Sequence, residues 1–72
     1  MYLIQKRKSA ASQWHTVKNL HGKKQCSEDL DVLSLCMDGL KGSYPWCDFR
    51  IIDNTTGDVV SVKRGVLNGN ID

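Results

Sequence analysis

The stretch WCDFRIIDNTTGDVVSV, residues 46–62, decides the fold. Phe49, Ile51 and Ile52 stand in one run, and Val59, Val60 and Val62 in a second. Between them, Asn54-Thr-Thr-Gly57 has the composition of a turn. Two β-branched or aromatic runs around such a turn predict an antiparallel hairpin over residues 46–63. Phe49 and Ile51 share a parity, as do Val60 and Val62, so these four are expected to cover a helix. Arg50, Ser61 and Lys63 would then face solvent or a second subunit. That assignment depends on register, since a slip of one residue inverts every side chain.

Upstream lies the helix this hairpin needs. Leu30, Leu33, Met37 and Leu40 recur at helical spacing, and Val32, Leu35 and Cys36 widen the apolar stripe. Ser27 is the expected cap, with Glu28 and Asp29 in the first turn, where acids suit the helix dipole. Gly39 and Gly42 offer stops, and Pro45 bars continuation. The expected helix is therefore residues 27–40. Alone it would be marginal in water, so it must lie on a sheet.

The N-terminal part reads as a first hairpin, residues 1–18. A strand runs over residues 2–6. Ser9-Ala-Ala-Ser-Gln13 forms a loop tip, and Trp14-His-Thr-Val-Lys18 returns with Trp14, Thr16 and Lys18 on one side and His15 and Val17 on the other. Residues 19–24 connect to the helix. Residues 64–72 form a C-terminal segment in which Val66, Leu67 and Ile71 could dock a last short piece. The expected fold is α+β: one domain of 72 residues, a small antiparallel sheet of about four strands in chain order β-β-α-β-β, with one helix across it.

Seventy-two residues exclude a multidomain enzyme and a large cofactor cavity. The formal charge of +2 conceals a division. Residues 1–27 hold Lys6, Arg7, Lys8, Lys18, Lys23 and Lys24 and no acid, whereas residues 28–72 hold eight acids and four bases. The chain is two blocks of opposite sign, +6 and −4. Three cysteines cannot close a set of disulfides. With no membrane-spanning apolar run, and with Met1-Tyr-Leu-Ile4 leading straight into Lys6-Arg-Lys8 rather than into a secretory segment, the expected location is cytoplasmic. A small core also makes a homodimer one way to gain stability.

The tests for chemistry come back empty. His15, His21, Cys26, Cys36 and Cys47 lack the close pairs that zinc sites use. Cys26, just before the expected helix start, could have its thiol activated there, but no orienting third group or oxyanion donor accompanies it. Asp53 and Asp58 suit turn roles. No phosphate-cradling loop is present. The reading is therefore no enzyme, no catalytic residue, no metal and no cofactor.

What remains is a binding constellation: Lys6, Arg7, Lys8, Trp14, Lys18, Lys23 and Lys24. Basic residues around an aromatic on one ribbon suit a phosphate backbone or an acidic protein face. Trp14 is equally suited to the core. Tyr44 and Trp46, around Pro45, are candidate interface anchors, or a plug for the end of the core.

The chain opens with a strand at residue 2, continues with a capped helix and closes with the hairpin FRIIDNTTGDVV, residues 49–60. In this organisation it resembles small phage and prophage accessory proteins, among them some anti-CRISPR inhibitors of host defence. The resemblance rests on size and organisation and carries no functional residue over. It implies a non-enzymatic interaction module, a phage-encoded inhibitor of a host protein or nucleoprotein in the host cytoplasm, acting by occlusion. The alternatives are a small DNA- or RNA-binding module using the basic hairpin, and a structural protein or homodimer subunit.

Overall fold

The computed structural model describes residues 1–19 and 21–65. Its centre is the pairing of β1, Tyr2–Arg7, with β4, Asp48–Asp53. The two run antiparallel through six consecutive pairs, from Tyr2 opposite Asp53 to Arg7 opposite Asp48. Side chains alternate across a strand, so Ile4, Phe49 and Ile51 fall on one face and Leu3 and Ile52 on the other. Helix α1, Leu30–Ser43, covers the first face. There Ile4, Phe49 and Ile51 pack with Leu33, Met37 and Cys47 as the buried core, with Tyr2, Val17, Leu30, Cys36 and Leu40 around them.

The α+β class with an antiparallel sheet and one helix is as expected, but the sheet has five strands rather than four. The second expected strand, residues 14–18, is shorter than expected, and the fifth strand forms just before the helix, where a cap was expected. Only His15–Thr16 forms β2, and Cys26–Ser27 forms β3. Both lie on the same edge of β1, so the chain order is β-β-β-α-β-β.

The helix is displaced three residues from its expected span. Ser27 belongs to β3, and its hydroxyl accepts from Asp29 N–H at 3.0 Å. The cap is Asp29, which keeps an extended backbone while its carboxylate accepts from the N–H groups of Asp31, at 2.9 Å, and Val32, at 3.4 Å. Pairing with β1 holds Ser27 in the sheet and moves the cap onward. At the other end the helix runs through Gly39 and Gly42 despite a cost of about 1 kcal/mol for each relative to alanine. It stops at Tyr44, before Pro45, where Tyr44 N–H reaches Leu40 C=O at 2.8 Å.

The final hairpin is also corrected in register. β4 begins at Asp48, not Trp46, and β5 is Val59–Lys63. Asp53 takes its expected turn role, accepting from Thr55 N–H at 2.8 Å. Between Ile51 and Ile52 the pairing jumps from Ser61 to Val59, so β5 carries an extra residue, Val60. The bulge breaks the expected parity. Ser61 and Lys63 pair with Ile51 and Phe49 and share the helix side, where Lys63 forms an ion pair with Asp38. Val60 and Val62, expected to cover the helix, are exposed instead. Beyond β5, Gly65 lies so close to Trp46 that a Cβ would come within 2.2 Å of the Trp46 carbonyl oxygen. The expected docking of Val66, Leu67 and Ile71 falls outside the described residues.

Candidate interaction surface

β2 and β3 are two halves of one strand. Lys6 pairs with His15 and Gln5 with Thr16, and then Leu3 pairs with Cys26 and Tyr2 with Ser27. At the break, Ile4 serves both halves: its C=O accepts from Val17 N–H at 2.9 Å, and its N–H donates to Gln25 C=O at 3.4 Å. If residues 18–25 were absent, Cys26 would follow Val17 and the register with β1 would run unbroken. Residues 18–25 are thus an excursion thrown out of an otherwise regular strand.

The excursion has its own internal order. Asn19 Oδ1 accepts from the N–H groups of His21 at 2.9 Å and Lys23 at 3.0 Å. Asn19 N–H donates to Lys23 C=O at 2.7 Å, and Gln25 N–H donates to Val17 C=O at 2.8 Å. Gly22, with φ of 77°, takes the left-handed turn that other residues adopt only at a cost. This geometry sets Lys18 directly opposite Lys24. Opposed residues of an antiparallel pair send their side chains to the same face, so Lys18 and Lys24, both exposed, leave the backbone on one side of the turn, with Lys23 next in the chain. Like charges so placed are mutually destabilising, and an anion relieves them.

The remaining basic residues are distributed elsewhere. On the sheet face away from the helix, the guanidinium carbons of Arg7 and Arg50 lie 4.5 and 4.2 Å from the centre of the Trp14 ring. Arg7 Nε also donates to Asp48 Oδ2 at 2.8 Å, and Arg50 Nε to Gln5 Oε1 at 2.7 Å. Asp48 Oδ1 accepts from Gly65 N–H at 2.6 Å. That backbone bond, chiefly, and then Arg7 hold the Asp48 carboxyl below its ordinary value against the opposing effect of burial. Trp14 is therefore neither a core residue nor an open stacking platform. It is half-buried beneath two cations.

Lys6 points to the helix side, its ammonium 4.7 Å above the Tyr44 ring. Tyr44 meets Trp46 edge to face, with centroids 6.3 Å apart, and both remain exposed. Lys8 lies on the exposed loop after β1, lining a hollow of about 410 Å³ with Trp46, Asp48 and Arg64. The binding residues expected on the first hairpin and the connection after it therefore occupy separate places: Lys18, Lys23 and Lys24 on the excursion, Lys6 with Tyr44 beside the helix, Arg7 with Trp14 on the opposite face, and Lys8 just after β1.

Sequence reasoning missed Asn19 and Arg50. Asn19, three residues before Gly22, is a readable turn signal. Arg50 has no local sign, because it meets Trp14 from across β1. Cys26 proves to be an exposed residue of β3, not a neighbour of the helix start, where the Asp29 carboxylate takes the free N–H groups. Among the described residues no group of three or more His, Cys, Asp or Glu is placed to hold a metal ion, and no helix is long and apolar enough to cross a membrane. Comparison with protein-family models, curated proteins and solved structures found no match.

Proposed function

We propose that this chain is a non-enzymatic interaction module that engages an acidic protein surface, and blocks it by occlusion, through the basic excursion of residues 18–25. The observation that carries the reading is the opposition of Lys18 and Lys24 on a turn held by Asn19. A fold selected for stability alone gains nothing from setting two lysines opposite one another at an insertion its strand does not need. An anionic partner turns that repulsion into affinity and speeds encounter. An inhibitor of a host nucleoprotein, such as phages encode, has the same requirements.

The nucleic-acid reading has less support. Base recognition by single-strand binders rests on open aromatic faces. Here Trp14, the aromatic among the basic residues, is covered by Arg7 and Arg50, while the exposed rings of Tyr44 and Trp46 meet edge to face outside the excursion. The test is capture of partners from a host lysate, with and without nuclease, by the native chain and by a Lys23→Glu/Lys24→Glu variant. A protein retained after nuclease treatment by the native chain and lost by the variant is expected. Steeply salt-dependent binding of mixed-sequence DNA below ~100 μM would overturn the protein reading in favour of nucleic acid.

A further inference from the structure

Beside the excursion the chain forms a groove. Its walls are the C-terminal half of α1 and the segment from His15 to Asn19, joined at the far end by Gln25. Two adjoining hollows make it up, of about 410 and 530 Å³, and they share Val17, Lys18, Leu40 and Tyr44. The floor is aliphatic, with Val17 and Leu40 packed against the core beneath. Lys6, His15 and Lys18 stand along the rim. No acidic side chain lines either hollow among the described residues. The acid of this part of the helix, Asp38, is turned to the other side and held by Lys63.

The helix borders the groove with a glycine. Gly39 lines it, and a Cβ built there would meet nothing within 4 Å. No packing within the described chain therefore requires glycine at a position where it weakens the helix. Gly42, one turn on, has the same open space but lines neither hollow.

We infer that this groove seats a short acidic segment of a partner protein, with an aliphatic side chain over Val17 and Leu40 and carboxylates reaching Lys6, His15 and Lys18. The inference rests on the proposed function and names the site at which the partner is read. An apolar floor inside a one-signed rim selects a chain that alternates carboxylates with an aliphatic residue. A polynucleotide would leave the aliphatic floor unused. A second copy is a poor occupant, because its own acidic stretch, residues 28–31, keeps Leu30 against the core.

The test titrates the ¹⁵N-labelled chain with acetyl-EDLED-amide, with acetyl-QNLQN-amide as the uncharged control and a ten-nucleotide oligo(dT) as the competing polyanion. Amide shifts centred on Val17, Gly39, Leu40 and Tyr44 are expected with the acidic peptide alone. Gly39→Gln fills the groove from the helix side without altering charge. It should weaken the peptide at least about tenfold, with an unchanged or raised thermal midpoint, and Gly39→Ala should fall between. Lack of response at about 1 mM peptide, an unchanged affinity in Gly39→Gln, or a stronger response to oligo(dT) at the same residues would each overturn the groove. Failure of the wider reading is separate: the Lys23→Glu/Lys24→Glu chain would then retain its lysate partner undiminished.

Discussion

The two edges of β1 receive their neighbours in different ways. On one side β4 pairs without interruption from Tyr2 to Arg7. On the other, the chain makes two short pairings and leaves between them for residues 18–25. The difference follows from what each edge buries. β4 contributes Phe49 and Ile51 to the core, and a slip there would turn both to the outer face. The β2–β3 edge contributes Val17 with its neighbours half-exposed or exposed, so a long insertion costs the core almost nothing. The tolerant edge is also the one that carries Lys18, Lys23 and Lys24, which form no ion pair among the described residues.

The contrast can be broken most severely from the rigid side. Phe49→Ala should cost about 3–5 kcal/mol, much of what a domain this small possesses, and urea unfolding should show a midpoint near zero or no transition. Excising residues 18–25 is the complementary experiment. Because the register with β1 closes when they are gone, the chain should keep a cooperative transition and near-native circular dichroism while losing its partner. Collapse of the fold would show that the excursion is structural.

Asp48 lies between these extremes. It joins β4 to Arg7 on β1 and to the backbone of Gly65. Asp48→Asn should cost about 1–3 kcal/mol. Since the folded carboxyl titrates below the unfolded one, its contribution is complete above the unfolded value of about 3.9 and is lost as pH falls through the folded value. Stability of the native chain should therefore drop below about pH 4, and the slope in that range should be shallower in Asp48→Asn. Smallest of all, Asp38→Asn removes an exposed ion pair with Lys63. A loss below about 1 kcal/mol is expected by thermal melting.

Much of the core was legible in the sequence. The helical spacing of Leu33 and Met37 and the shared parity of Phe49 and Ile51 identify four of its residues, because periodicity is a local property. Val60 and Val62 were misplaced because a bulge is decided between strands, and the VVSV run carries no mark of which residue is extra. Ser27 was misread as the cap for a similar reason. Its side chain suits a cap, but its backbone is claimed by Tyr2, 25 positions earlier in the chain.

The amino-acid sequence alone determined that the chain is α+β, that one helix lies across a small antiparallel sheet, and that its first 27 residues carry charge of one sign. Those follow from neighbours in the chain: spacing, turn chemistry and composition. Tertiary structure alone decided which charges are held by neighbours within the described residues and which stand exposed. Arg7 looks no different from Lys8 in the sequence, yet one is held by Asp48 and Trp14 and the other stands exposed. Lys18 and Lys24 are six positions apart and are opposed by the turn that Asn19 and Gly22 close, which β1 fixes at both ends by pairing with the strands before and after it. Electrostatic interaction depends on distance in space, and the fold sets that distance.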